Sequence, residues 1–304
     1  MILATTIPLR RKGDTKSQIV TNRKTTTGNN SDPLLETLVD GRYFILRKIG
    51  EGGCGKVYRA IDRETGRDVA IKTIVDRLTT DEATVSRFIK EAALGKWIRH
   101  NNIVQVTDLS FESNPLYFVM EFLSGSTISE FIAKNGPLTW DQIKQVLIPV
   151  CEALAAVHAE GFVHRDVKPD NLFLLEDGTV KVLDLGLAIS MEDIKANDGF
   201  VLGTPLYMAP EAIYQGSTID HRVDVYGLGV TAYQMLTGEL PFNGDSLEEI
   251  HRKHFFEEPE PPSIRKPSLK LPSHADTTIL RAMAKKPEHR FHDVAEMGNA
   301  IATA

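Results

Sequence analysis

The sequence predicts an α+β chain in two unequal lobes, a small β-rich lobe followed by a larger α-helical one. Three observations carry this. Short β-type runs separated by turn residues fill the stretch from Tyr43 to Glu121, around a single amphipathic helix. From residue 126 onward the pattern is mostly helical. Strands first and helices after is the signature of a segregated α+β fold, not of alternating α/β units. At 304 residues, 42% apolar and 25% charged, the chain can bury a sizeable core.

The elements follow in order. Residues 1–40 read as a disordered tail; positions 10–31 are basic and rich in Thr, Ser, Asn and Gly, with almost no large apolar side chain to offset the entropy of ordering. The folded part is expected over 41–301, with the small lobe at 41–121, the join at 121–125 and the large lobe at 126–301. Tyr43 to Ile49, Lys56 to Ile61 and Asp68 to Ile74 predict strands. Thr79 and Glu82 predict a capping box, and Val85, Phe88, Ile89 and Ala92 the apolar stripe of the helix it opens. Two more strands are expected near Val104 and over Tyr117 to Glu121. In the second half, Thr139 and Gln142 predict a capping box, Leu138 and Ile143 a hydrophobic staple, and Gly161 a C-terminal stop. The run Val223 to Leu236 is apolar on nearly all sides and predicts a buried helix.

Composition narrows the function. A net charge of -6 argues against a nucleic-acid binder built on a basic face. The two cysteines, Cys54 and Cys151, lie far apart without metal-type spacing, which suits reduced thiols in a reducing, cytoplasmic setting. The longest apolar stretch, around Val146 to His158, is too short to span a bilayer, so no membrane anchor is expected in this chain.

Several stretches carry chemistry. Gly50-Glu51-Gly52-Gly53-Cys54-Gly55 fits G-x-G-x-x-G. In a dinucleotide-binding turn the last glycine opens a helix. Here it runs into the β-type Lys56-Val57-Tyr58-Arg59, so the glycines belong to a hairpin whose N–H groups can approach phosphates. On the next strand, alternation puts Ala70 and Lys72 on one face. An ammonium that contacts phosphate oxygens needs a carboxylate to hold it, and Glu91 is the candidate. His164-Arg165-Asp166-Val167-Lys168-Pro169-Asp170-Asn171 is the strongest signal. Asp166 can orient and accept the proton of an attacking hydroxyl, and Lys168 supplies a cation near the transferred group. Asp184-Leu185-Gly186 follows a hairpin signal at Asp177-Gly178. A two-residue turn there would set Asn171 directly opposite Asp184, an amide oxygen and a carboxylate able to share hard cations that also bind phosphates.

Taken together, these motifs resemble the eukaryotic-type (Hanks-type) protein kinase family over about residues 42 to 300, in wording closest to its bacterial serine/threonine members. The resemblance implies the two-lobed kinase fold, ATP and Mg2+ as cofactors, and a protein substrate with a Ser or Thr acceptor. It implies that the glycine loop covers the nucleotide with Ile49, Gly50, Glu51, Gly52, Gly53, Cys54, Gly55, Lys56 and Val57. Lys72 would pair with Glu91 and hold the α- and β-phosphates; Asp166 would be the base, and Asn171 and Asp184 the metal ligands. Ala70 and Phe173 would enclose the adenine, Met120 would guard the back of its pocket, and Glu121 and Leu123 would offer backbone hydrogen bonds. Gly203 to Glu211 resembles the substrate-docking segment, Asp224 the anchor of the catalytic loop, and Arg290 the partner of Glu211. Lys168 and Thr204 point to serine/threonine over tyrosine as acceptor, and Leu187 leans toward serine.

Two departures stand out. Leu185 replaces the usual phenylalanine, and Gly95 stands where the family has a large apolar residue that packs the Glu91 helix, so that helix is expected to be looser. The other readings are a pseudokinase-like binding scaffold and a small-molecule phosphotransferase. The first requires loss of Lys72, Asp166, Asn171 or Asp184, and the second loss of the segment Gly203 to Glu211; all are present. Arg165 marks kinases whose activation loop is ordered by a phosphate, yet Met191 to Gly203 contains no Ser, Thr or Tyr. The expectation is that a carboxylate, Asp198, takes the place of the phosphate opposite Arg165.

Overall fold

The computed structural model describes residues 32–52, 55–74, 80–111, 113, 115–196, 203–214, 219–269 and 271–303. Leu34–Ala304 forms one compact unit. The expected tail therefore ends too late at residue 40. Leu34, Leu35 and Val39 pack on a cluster that includes Tyr43, Ile45, Tyr58 and Val119, and β1 (Leu38–Val39) pairs with β2 (Tyr43–Glu51). Burial of these apolar side chains offsets the cost of ordering the segment.

The small lobe is an antiparallel sheet in the order β1-β2-β3-β4-β6-β5. It continues through β3 (Gly55–Asp62), β4 (Asp68–Ile74), β5 (Val106–Ser110) and β6 (Tyr117–Glu121). α1 (Glu82–Trp97) lies between β4 and β5 in sequence. It starts later than its predicted capping box: Asp81 is the N-cap, its carboxylate accepts the Thr84 hydroxyl, and Glu82 is the first helical residue, while Thr79 lies outside the described residues. The buried face is Thr84, Phe88, Ala92, Leu94 and Gly95. Ile89, expected in the stripe, is 37% exposed, because α1 turns the Phe88–Ala92 side to the sheet. The strand expected near Val104 begins at Val106; Val104 is instead tied to the large lobe, its N–H donating to Val182 O at 3.0 Å.

The large lobe opens with β7 (Gly125–Thr127), α2 (Ile128–Asn135) and α3 (Trp140–Ala159). Both halves of the Thr139–Gln142 capping box form, Leu138 and Ile143 are buried, and the chain leaves α3 through Gly161 at φ +79, a conformation that costs glycine little. Short strands β8 (Phe162–Val163), β9 (Leu172–Leu175), β10 (Val180–Val182) and β11 (Ile189–Ser190) carry the chain past the cleft. Then come α4 (Met191–Ala196), α5 (Pro210–Ile213), α6 (Arg222–Thr237), α7 (Leu247–Phe256), α8 (Pro262–Arg265), α9 (Ser273–Ala282) and α10 (Val294–Thr303). α6 is buried on nearly every side, as its all-round apolar sequence requires. Gly229 lets α9 approach it: a Cβ there would fall 2.8 Å from Met283 Cγ and 2.9 Å from Ala282 Cβ.

His254 of α7 is fully buried, bonded through Nδ1 to the Tyr226 hydroxyl at 2.8 Å and set edge-on to Phe242. Burial, with Lys285 nearby, pushes its imidazole from 6.5 down to about 3. The unfolded chain thus takes up a proton as pH falls below about 6.5 that the folded chain refuses, and stability drops with falling pH over that window. The Tm of the parent is expected to fall more steeply between pH 7 and 5 than that of His254→Gln; parallel slopes would contradict this.

Candidate active site

A cleft of about 710 Å³ separates the two lobes. Gly50, Glu51, Gly52, Gly55 and Val57 line it from the β2–β3 hairpin; Gly53 and Cys54 lie outside the described residues. Gly55 admits no side chain, since a Cβ would stand 2.3 Å from Thr73 O of the neighbouring strand. Lys72, Glu91, Met120, Lys168, Asn171, Asp184 and Thr204 also line the cleft. Ile49, Lys56, Ala70, Glu121, Leu123 and Phe173 stand beside it and are not in its lining. Ala70 is buried between Arg59 and Met120 in the sheet, Phe173 pairs with Thr127 and Lys181, and the Glu121 carboxylate turns to Lys181 at 2.7 Å.

β4 delivers Lys72 and α1 delivers Glu91. The ammonium donates to both carboxylate oxygens, at 2.6 and 2.7 Å. Burial, abetted by Asp184, pushes the Glu91 carboxyl up to about 7 against the pull of Lys72. Gly95 lines the cleft, and Val106 closes on it from the neighbouring strand. A Cβ there would meet Val106 Cγ2 at 2.6 Å, so Val106 fills the space that a larger residue 95 would need. Gly95→Ala is therefore expected to destabilise by about 1–3 kcal/mol through overpacking, although alanine is the better helix former by about 1 kcal/mol. Thermal melts of the two proteins check the sign.

The catalytic loop is fixed from beneath. Asp224 of α6 is 1% exposed and accepts the N–H of His164 at 2.9 Å and of Arg165 at 2.8 Å. His158, at the end of α3, bonds the same carboxylate at 2.7 Å. Burial alone would raise the Asp224 carboxyl, but His158 and the backbone donors hold it below the usual range. Arg165 and Asp184 adopt left-handed backbone conformations, φ +65 and +54, which non-glycine residues accept only when their surroundings impose them.

Asp166 is buried just behind the cleft lining, and both of its carboxylate oxygens are bonded. Oδ1 accepts the Thr204 N–H at 3.0 Å and hydroxyl at 2.7 Å; Oδ2 accepts Lys168 Nζ at 2.6 Å and Asn171 Nδ2 at 3.0 Å. Lys168 Nζ also donates to the Thr204 hydroxyl at 2.5 Å, so the docking segment is pinned to the catalytic loop through one residue.

The β9–β10 hairpin does not have the predicted two-residue turn. Leu172 pairs with Val182 and Leu174 with Val180, and Leu183 N–H donates to Asn171 O at 2.8 Å. Asn171 therefore faces Leu183, and Asp184 lies one residue beyond. The cause is a longer loop closed by Gly178 at φ +87. Both residues still reach the cleft. The Asn171 amide nitrogen is taken by Asp166 O at 2.8 Å and by its carboxylate, which leaves the amide oxygen as an acceptor. Burial would raise the Asp184 carboxyl; Lys72, the Gly186 N–H, His164 and Lys168 together hold it lower. Hard oxygens on two residues suit a divalent cation that completes its shell with phosphates and water. Among the described residues no cluster of three or more His, Cys, Asp or Glu could hold a metal by itself.

Behind the site, Glu211 and Arg290 form a bidentate pair at 2.6 and 2.8 Å. Arg165 Nε donates to Leu187 O at 2.8 Å. Asp198 lies outside the described residues; of the described loop acids, Asp193 of α4 stands 3.9 Å from Lys90 of α1. Sequence reasoning missed His158, Gln105 and Lys181. Only His158 leaves a signal, an imidazole at the end of an otherwise apolar helical face.

This geometry defines a nucleotide-dependent phosphotransferase of the kinase type, and the comparisons agree. The protein kinase domain family matches residues 43–295, and the chain belongs to it. It is 41% identical over 280 residues to serine/threonine-protein kinase Pkn1 of Myxococcus xanthus, covering 90% of this chain and 39% of that protein. It is 36% identical to serine/threonine-protein kinase PrkC of Bacillus subtilis, with 89% and 42% covered. It is also 36% identical to serine/threonine-protein kinase PknL of Mycobacterium tuberculosis, with 88% and 66% covered. The chain thus spans about two fifths of the first two and two thirds of the third. It is a serine/threonine protein kinase domain of the bacterial Hanks type.

Proposed function

We propose that the chain transfers the γ-phosphoryl group of ATP to Ser or Thr hydroxyls of protein substrates, with Mg2+ held by Asn171 and Asp184. The observation that supports this most is the Asp166 carboxylate, held by four hydrogen bonds from Thr204, Lys168 and Asn171, which line the same cleft as Lys72 and Asp184. A substrate hydroxyl brought to Asp166 gives up its proton as its oxygen attacks phosphorus and the bond to the leaving diphosphate breaks. Lys168 stabilises the negative charge that develops, and Lys72, steadied by Glu91, holds the diphosphate oxygens. The metal, when bound, would neutralise phosphate charge. The glycine hairpin excludes water that would otherwise compete as acceptor.

The same reading makes the domain active as synthesised. Met191 to Gly203 has no hydroxyl to phosphorylate, and the Thr204 hydroxyl is already engaged by Asp166 and Lys168. Cytoplasmic residence is part of the reading and is supported by a buried free Cys151; no described helix is long and apolar enough to cross a membrane. Phosphatase-treated protein, checked by mass spectrometry, is expected to keep its activity. A large loss restored by phosphate at Ser190 or Thr204 would overturn the regulatory part.

A further inference from the structure

Glu91 must stay at Lys72, yet α1 has at Gly95, one turn further on, no side chain to fix it. What Gly95 does offer is a carbonyl. It is among the last four carbonyls of α1, which have no donor within the helix. Gln105 Nε2 donates to it at 2.7 Å and, with its other hydrogen, to Val106 O at 3.1 Å. Gln105 is in turn clamped to the end of β6. Its N–H donates to Glu121 Oε1 at 2.9 Å, and the Glu121 N–H donates back to Gln105 O at 3.1 Å. Lys181 of β10 closes the chain, its Nζ 2.7 Å from the same Oε1 and its side chain 13% exposed. A continuous set of bonds therefore joins a strand of the large lobe, the connection between the lobes and the last turn of α1. The approach that permits it depends on Gly95, because a Cβ would collide with Val106.

We propose that Gln105 and Lys181 are positioning residues for phosphoryl transfer, which act through Glu121 and the Gly95 carbonyl to hold α1 where Glu91 meets Lys72. Neither lines the cleft. They supply by hydrogen bonding the restraint that a large residue 95 would supply by packing. A partly buried network has this leverage because each group that loses its partner is left desolvated.

The proposal rests on the kinase reading, so its test has one arm that needs no activity. Hydrogen exchange of the α1 amides in the folded protein is expected to quicken in Gln105→Leu, which removes the donor, and to stay near the parent rate in Gln105→Lys, which keeps one. In a peptide phosphorylation assay, Gln105→Leu is expected to lower kcat about three- to tenfold with KM for ATP nearly unchanged. Gln105→Lys should recover most of that loss, and Gln105→Glu, which turns a carboxylate toward a carbonyl, should not. Lys181→Met should act in the same direction but add little to Gln105→Leu, since both act through one relay. Unchanged α1 exchange in Gln105→Leu overturns the proposal. So do equal losses in the Leu and Lys variants that track a common fall in Tm, the mark of a merely structural residue. A parent that labels no Ser or Thr peptide counts against the kinase reading, while the exchange arm still decides the relay.

Discussion

Asp166→Asn is expected to lower kcat about 10²–10⁴-fold, the range that a positioned general base contributes. The substitution keeps size and shape, so the loop should hold. What changes is the chemistry at two atoms. An amide nitrogen cannot accept the substrate proton, and wherever the amide places its NH2 group it faces donors: Thr204 N–H on one side, Lys168 and Asn171 on the other. Nucleotide affinity should change little, because among the described residues neither Lys72 nor the glycine hairpin bonds Asp166. Titration with a fluorescent nucleotide, beside steady-state kinetics, separates the two effects. A variant within threefold of the parent rate would remove Asp166 from the role of base.

Arg290→Ala is expected to cost on the order of 3–5 kcal/mol, the penalty for leaving a buried partner charge uncompensated. The Arg290 side chain is 0% exposed and Glu211 10%. The guanidinium meets both Glu211 oxygens and the carbonyls of Ala284, Lys285 and Arg222, and lies over the Tyr226 ring at 4.8 Å. Its donors are all used, and one side chain ties the docking segment at α5 to α6 and to the turn after α9. Arg290→Lys is expected to be nearly as damaging, since an ammonium cannot reproduce the planar fork. A loss of this size approaches the total stability of many domains, so the melt should shift by many degrees or the protein should fail to accumulate. A melt that overlays the parent would refute the structural role.

Much of this was legible in the sequence because local chemistry decided it. The capping box at Thr139 and the stop at Gly161 are satisfied within a few residues, so reading along the chain found the limits of α3. The catalytic constellation was legible because its residue types recur at fixed spacings. What could not be read was settled across the chain. α1 starts after Asp81, later than the Thr79–Glu82 pattern suggests, and its buried face is set by the Phe88–Ala92 side that meets the sheet. The hairpin after Asn171 took a longer loop, which moved Asp184 one place. Gly95 read as a gap because Val106, eleven residues on, is invisible from Gly95 itself. Gln105 and Lys181 carry no motif; their bonds to Glu121 exist only once three elements meet.

The activity at stake is transfer of phosphate from ATP to protein Ser or Thr. It is tested most directly by incubating the purified chain with γ-labelled ATP, Mg2+ and a mixed peptide library, then identifying the labelled amino acid by mass spectrometry. Phosphoserine and phosphothreonine are expected, serine in excess, dependent on both the metal and Lys72. Label on tyrosine alone, label on a small molecule alone, or equal labelling by Lys72→Met would contradict it.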